Sequence, residues 1–190
     1  MGCDLVSMKA DAALEAAWRA VDRPHPRLSL EKVLDGERTM AKEFDGTLIT
    51  ETMLVDGIND SDRDIAAVAE HIASLGVQRA YVSVPIRPPA VSSIGPASPE
   101  RVMACYMAFK DMGIDVELNI ATEEGGFTLT GEFATYILGT TSVHPLREDQ
   151  MEGLLEKGGE GARTALQGLL ANGSVSKVEF SGKRFYIRSR

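Results

Sequence analysis

The sequence contains only two cysteines, Cys3 and Cys105, among its 190 residues. No CxxC or CxxxCxxC spacing occurs, so the chain offers no cysteine cluster for zinc or for an iron–sulfur centre. The three histidines are too scattered to suggest a metal site, and we predict none. A disulfide framework is excluded as well, and both cysteines are expected to pack as small buried hydrophobic side chains.

The sequence also lacks a long apolar run. Its unbroken apolar stretches extend over only a few residues, whereas about 20 are needed to cross a bilayer. The first residues contain no basic region followed by an apolar stretch, so no signal peptide is predicted. We therefore expect no membrane partner and a cytoplasmic location.

An excess of positive charge is absent too. The chain has 28 acidic and 20 basic residues and a net charge of −8. This balance argues against non-specific binding of nucleic acid over the whole surface, although it leaves room for a local basic patch. With 44% apolar and 25% charged residues, the composition is that of an ordinary globular protein of one domain or one and a half.

The first 130 residues show an alternation of predicted strands and helices. The predicted strands cover 4–10, 48–55, 80–84 and 116–120, and the predicted helices cover 12–21, 30–44, 62–75 and 99–112. Such an alternation predicts an α/β fold with a parallel sheet built from βαβ units. Four strands fit either an open doubly wound sheet or half of an eight-stranded barrel.

Polar residues on the predicted strands favour the barrel. Ser7, Lys9 and Asp11 alternate with apolar neighbours, and Glu51 lies inside the second strand. Parallel strands covered by helices on both faces should be apolar throughout, so a polar face implies a lumen that meets a ligand. Further polar residues follow the strand ends, where barrel enzymes place their sites. The alternative, ordinary polar loop residues, stays open.

Residues 131–190 follow a different pattern. A short helix (132–138), a short strand (140–144), two helices (146–157 and 160–171) and a hairpin (175–180 and 184–188) are predicted. This order is typical of a winged helix. The hairpin has five cations that could contact phosphates, namely Lys177, Lys183, Arg184, Arg188 and Arg190. The presumed recognition helix has only one cation, which favours a structural or docking role over DNA binding.

Segments 4–11, 48–60 and 80–89, together with 18–28 and 142–147, resemble radical-SAM proteins of the branch related to the tRNA wybutosine-synthesis iron–sulfur enzymes. In that family a CxxxCxxC loop holds a [4Fe–4S] cluster, and reductive cleavage of S-adenosylmethionine yields a radical that abstracts hydrogen. The resemblance implies that residues 1–130 are the C-terminal part of a TIM-like (β/α) barrel, beginning at the family's fourth strand. The order of elements in residues 131–190 predicts the winged-helix-like module. Without the cluster segment the chain is expected to be inactive.

The resemblance also implies which residues approach the cofactor, while no residue is assigned a catalytic role. The implied S-adenosylmethionine-binding residues are Ser7, Lys9, Asp11, Glu51, Thr52, Asn59 and Arg87. Structural alternatives remain for several of them. Lys9 and Asp11 could form an ion pair in the lumen, and Asn59 could shape its loop.

The expected partners follow from an incomplete barrel. A small molecule or an RNA is the expected substrate, and self-association or a partner chain is expected to cover the open edge of the first strand. The alternative function is that of a non-enzymatic binding protein, which uses the basic hairpin to hold RNA or a protein.

Overall fold

The computed structural model describes residues 2–91, 93–119 and 132–189, which divide into two compact units. The first unit comprises Met1–Pro85 and Ser93–Ala121, and the second comprises Ile86–Ser92 and Thr122–Arg190. The domain boundary predicted at residues 130 and 131 and the cation Arg190 lie outside the described residues.

The first unit is a parallel sheet with helices between its strands. Its strands are β1 (Leu5–Lys9), β2 (Thr47–Met53), β3 (Arg79–Ser83) and β4 (Val116–Asn119), and its helices are α1 (Glu15–Val21), α2 (Leu30–Glu43), α3 (Asp62–Leu75) and α4 (Pro99–Asp111). The four strands are parallel and follow the order β1-β2-β3-β4. The predicted alternation of strands and helices is confirmed.

Local signals in the sequence explain where α3 and α4 begin and end. The Ser61 side chain accepts a hydrogen bond from the Asp64 backbone N–H, and Gly76 ends α3 with a left-handed φ of 63°. The Ser98 side chain caps α4 in the same way, with Pro99 in its first turn. These caps fix the lengths of the two helices that cover the sheet.

One face of the sheet forms the core and the other is polar. Val82 and Val116 point to the buried face, where they belong to the same cluster as Ile72 of α3 and Phe109 of α4. The alternation that buries these residues exposes their neighbours along each strand. We call the second face, which carries Ser7, Lys9, Glu51, Tyr81 and Glu117, the open face.

The second unit combines two helices with a small antiparallel sheet. Its elements are α5 (Phe133–Val143), β5 (Leu146–Arg147), α6 (Glu148–Ala171), β6 (Val175–Phe180) and β7 (Lys183–Arg188). The strand order is β5-β7-β6, and the predicted hairpin of β6 and β7 is present. Among the described helices of the chain, none is long and apolar enough to cross a membrane.

One prediction in this unit is wrong. Residues 140–143, predicted as part of a strand, continue α5, where the Thr141 hydroxyl donates to the Ile137 carbonyl one turn earlier. The two helices predicted on either side of Gly158-Gly159 are confirmed, because α6 consists of two helical segments that meet at a kink, where Gly159 has a non-helical conformation.

Candidate functional site

The open face carries a row of polar side chains that crosses the sheet. Lys9 lies opposite Glu51, Glu51 opposite Tyr81, and Tyr81 opposite Glu117 in the strand register. Ser7 lies on the same face, two residues before Lys9, and its hydroxyl donates to Glu51 Oε1 at 3.3 Å. Because Lys9 and Glu51 are both exposed in this chain, the face offers an ammonium and a carboxylate side by side.

Asp11 lies just past the carboxyl end of β1 and is only 3% exposed. Its Oδ1 accepts a hydrogen bond from the Met53 N–H at 2.7 Å, and its Oδ2 lies 3.1 Å from Lys9 Nζ. The ion pair between Lys9 and Asp11, one of the two interpretations drawn from the sequence, is therefore formed. It directs the Lys9 ammonium toward the carboxyl end of the strand, where parallel sheets bind ligands.

Asn59 holds the loop after β2 against the ends of both strands. It is 1% exposed, and its Oδ1 accepts from the Val55 N–H at 2.8 Å. Its Nδ2 donates to the Asp11 carbonyl at 2.8 Å and to the Met53 carbonyl at 2.9 Å. All these contacts are to the backbone, so Asn59 determines where Asp11 lies.

The remaining two predicted residues lie elsewhere. Thr52 belongs to the buried face of β2, opposite to Glu51, and its hydroxyl donates to the Ala10 carbonyl at 2.9 Å. Arg87 lies in the segment Ile86–Ser92 of the second unit. The structure thus brings together Ser7, Lys9 and Glu51 on the open face. Asp11 and Asn59 lie next to them, just past the carboxyl ends of β1 and β2.

Asp22, which directly follows α1, was missed at the sequence level. Burial of its carboxyl and the neighbouring charge of Asp11 together raise the pKa of Asp22 to about 6, although the charge of Lys9 opposes the shift. Although Asp22 is exposed as a residue, its carboxyl therefore lies in a partly dehydrated place beside another carboxylate.

A half-buried acid, Glu37, lies on α2. Glu37 Oε2 meets Nε2 of His71 on α3 at 2.5 Å, and His71 is 6% exposed. Nδ1 of His71 has no hydrogen-bond partner. No local pattern marks Asp22, Glu37 or His71, because they come together only when α1, α2 and α3 pack.

The described residues do not provide a metal or cluster site. Within them, no group of three or more His, Cys, Asp or Glu side chains could hold a metal ion. Cys105 is buried as predicted, and burial raises the pKa of its thiol to about 12. The prediction that Cys3 is buried is wrong, because this terminal residue is exposed. The two cysteines of the chain cannot supply the three thiolates that hold a [4Fe–4S] cluster in the CxxxCxxC loop.

The cations of the hairpin in the second unit are partly neutralised. Glu148 at the start of α6 lies 2.6 Å from Arg184 and 3.7 Å from Lys177. The Lys177 ammonium also lies 5.0 Å from the centroid of the Tyr186 ring. These contacts weaken the hairpin as a phosphate-binding surface, since part of its charge is already compensated.

Comparison with known proteins gives relatives that are much longer than this chain. A UPF0026 protein of Methanocaldococcus jannaschii is 32% identical over 188 residues, which cover 98% of the chain but 58% of that protein. A UPF0026 protein of Helicobacter pylori strain 26695 is 22% identical over 96% of the chain and 57% of its own length. The chain thus spans less than two thirds of these relatives. No protein-family model matches the chain.

A solved structure shares the fold of part of the chain. A domain of pyruvate-formate lyase-activating enzyme from Bacteroides vulgatus superposes with a TM-score of 0.50 and 18% identity, over 62% of the chain and 68% of the domain. A radical SAM methyltransferase from Sphaerobacter thermophilus overlaps more loosely, with a TM-score of 0.48 and 20% identity, over 62% of the chain and 34% of its own. The first overlap shows that part of the chain has the fold of that domain, and it shows the fold alone.

Proposed function

We propose that this chain is the cofactor-side and substrate-side part of a radical-SAM protein, whose iron–sulfur cluster is held by a segment outside this sequence. The observation that carries the proposal is the open face of a parallel sheet. On this face Lys9 and Glu51 lie side by side, and the buried Asp11 follows at the carboxyl end of β1. Parallel strands with one polar, uncovered face are typical of a sheet that lines a ligand cavity.

The open face suits S-adenosylmethionine in charge and chemistry. This cofactor carries a carboxylate, an ammonium and ribose hydroxyls. The Lys9 ammonium would hold the carboxylate, while Glu51, together with Ser7, would accept from the ammonium or from the ribose hydroxyls. When bound next to a reduced cluster, the cofactor supplies the radical that abstracts hydrogen from the substrate.

The other four residues implied by the resemblance have different places in this proposal. Asp11 and Asn59 position the Lys9 ammonium and the end of β1 through their own contacts. Thr52 is left out, because its side chain lies on the buried face and donates to Ala10. Arg87 remains a proposed contact for adenine or for the substrate.

The cluster must come from elsewhere, because this sequence has only two cysteines. The greater length of the UPF0026 relatives supports a missing segment, since much of their sequence lies outside the matched region. The chain alone is therefore proposed to be inactive. The wybutosine-synthesis branch and a small-molecule or RNA substrate are also proposed, and both rest on the sequence resemblance.

The second unit is proposed to be a winged-helix-like docking module. Its order of helix, short strand, kinked helix and hairpin, and its strand order β5-β7-β6, support this assignment. Because Glu148 already compensates two of the hairpin cations, we do not propose binding of nucleic acid as its main role.

The proposal is tested by reading the coding DNA upstream of the Met1 codon in frame. A segment that carries CxxxCxxC and continues into Gly2 is expected. The joined polypeptide, with its cluster reconstituted and reduced, should form 5′-deoxyadenosine, and Lys9→Met should reduce that rate. A stop codon close upstream, with no separate chain that supplies the cluster, would contradict the proposal.

A further inference from the structure

The outer side of α4 carries two exposed methionines. Met103 and Met107 are each 50% exposed, whereas Val102, Cys105 and Phe109 of the same helix are buried in the core. Residues four apart lie on one face of a helix, so the two thioether side chains form a single apolar spot. Among the described residues, the other large exposed hydrophobic side chains do not share a helix face. This spot is therefore a candidate contact surface.

A charged residue of opposite sign flanks the apolar spot at each end. Glu100 lies three residues before Met103, and Lys110 lies three residues after Met107, so all four side chains follow one face of α4. Both charged residues are exposed. We call Glu100, Met103, Met107 and Lys110 together the α4 row.

The two charges of the α4 row are accessible to a partner. A hydrogen bond with Ser98 lowers the pKa of Glu100, and no cation of the described residues contributes to that shift. Lys110 has only a long ion pair, 3.9 Å from its Nζ to Asp115 Oδ1, and its ammonium lies 5.8 Å from the centroid of the Tyr106 ring. Contacts of this kind at an exposed site are weak, so both charges can still pair with another molecule.

The α4 row is complementary to itself when two helices pack antiparallel. Glu100 then lies opposite Lys110 of the second copy, and Met103 lies opposite Met107 of the second copy. Two ion pairs thus flank two methionine contacts, and a two-fold axis relates the two halves, as in most dimers of identical chains. Parallel packing would instead place like charges opposite each other, which is unfavourable.

We propose that α4 docks on α4 of a second copy of this chain, in an antiparallel dimer held by the α4 row. The dimer is weak, because helices of 13 residues, about 20 Å long, offer little area compared with the roughly 1,200–2,000 Å² of stable interfaces. Asp111, on one flank of the row, weakens it further by approaching Glu100 of the second copy. The contact does not involve the open face, since α4 packs against the opposite face of the sheet.

Sedimentation velocity of this chain over a series of concentrations tests the proposal, with circular dichroism as a check of the fold. The wild type should dimerise reversibly. Lys110→Glu and Glu100→Lys should each weaken the dimer about tenfold or more, since each places like charges opposite each other twice. Lys42→Glu is the matched control, because Lys42 also lies in the last turn of an exposed helix, and it should leave the dimer unchanged.

A mixture of the two α4 variants gives the most specific measurement. The row has two acids in Lys110→Glu and two cations in Glu100→Lys, so the equimolar mixture should dimerise at least as well as the wild type. The same series in proteins that also carry Ser7→Pro, which removes an edge N–H of β1, separates this contact from pairing along that strand.

Three results would each overturn the proposal. They are equal association of Lys110→Glu and wild type, a mixture that associates no more than its two components, and a wild type that stays monomeric at every concentration. The third result would assign the α4 row to a different partner, such as the part of the longer relatives that lies outside this chain.

Discussion

Two threonines on β2 share the buried face of the sheet but differ in their hydrogen bonding. Thr52 donates to the Ala10 carbonyl at 2.9 Å, whereas the hydroxyl of Thr50 has no partner although the residue is fully buried. A buried hydroxyl without a partner costs free energy, because it has lost its bonds to water. Only the structure separates these residues, since both have the same place in the strand alternation.

Thr50→Val should therefore stabilise the protein by about 1 kcal/mol, since it replaces an unsatisfied hydroxyl with a methyl group of similar size. Thr52→Val is the matched control and should destabilise by about 1 kcal/mol, because the Ala10 carbonyl loses its donor. Urea denaturation of both variants measures the free energies of unfolding. Two changes of the same sign would contradict the assignment of these hydroxyls.

The raised pKa of Asp22 predicts a pH-dependent stability. Since the folded-state pKa of about 6 exceeds the ordinary value of 3.8, the folded chain holds this proton more tightly than the unfolded chain. This contribution is fully present below pH 4 and is lost as the pH rises through 6. Asp22→Asn cannot ionise and should lack this loss.

Thermal unfolding of both proteins from pH 4 to pH 8 checks this prediction. The wild-type Tm should fall relative to that of Asp22→Asn by about 2–4 °C across the range, which corresponds to about 1 kcal/mol after allowance for the exposure of Asp22. A constant difference between the two Tm values would show that Asp22 titrates normally.

At the scale of elements, the kink of α6 depends on one glycine. Gly159 has φ 63° and ψ −152°, a combination that is accessible almost only to glycine. Gly168 lies in the regular part of the same helix, with open space where the Cβ of an alanine would stand. Relative to alanine, glycine is thus expected to stabilise the helix at position 159 and to destabilise it at position 168.

Gly159→Ala should destabilise the protein by about 1–3 kcal/mol, because alanine is strained in this conformation. Gly168→Ala should instead stabilise it by about 0.5–1 kcal/mol through its better helix propensity. Chemical denaturation followed by circular dichroism measures both. A stabilising Gly159→Ala would mean that α6 runs straight through this position.

Elements whose signals are local could be predicted from the sequence. Ser61, Gly76, Ser98 and Pro99 mark the helix ends, and alternation along β1 separates its polar face from its apolar face. The strand expected at 140–144 failed, because its β-branched residues favour a strand locally while packing around the buried Ile137 favours a helix. The Asp22 and Glu37 contacts could not be predicted, since they join separate helices.

At the scale of the whole molecule, β1 is an edge strand of the sheet that the described residues form. The Asp4 carbonyl accepts from the Thr47 N–H, and the Ala10 N–H donates to the Glu51 carbonyl, so the even-numbered residues of this strand bond to β2. By alternation, the N–H of Ser7 faces away from β2. An edge of this kind is a template for another strand, from the proposed missing segment or from a second copy.

We expect the isolated chain to self-associate as its concentration rises. Ser7→Pro removes the outward N–H without breaking the β1–β2 ladder, so it should weaken this association, whereas Ser7→Ala should not. Sedimentation velocity over a series of concentrations measures the effect. Equal association of Ser7→Pro and wild type would place the contact elsewhere.

Equilibrium binding of methyl-labelled S-adenosylmethionine to this chain, followed by NMR, tests the proposed binding of this cofactor to the open face. We predict weak saturable binding, which Lys9→Met and Glu51→Gln reduce about tenfold and Thr52→Val, on the buried face, leaves unchanged. No binding by the wild type, or equal binding by all four proteins, would contradict the account.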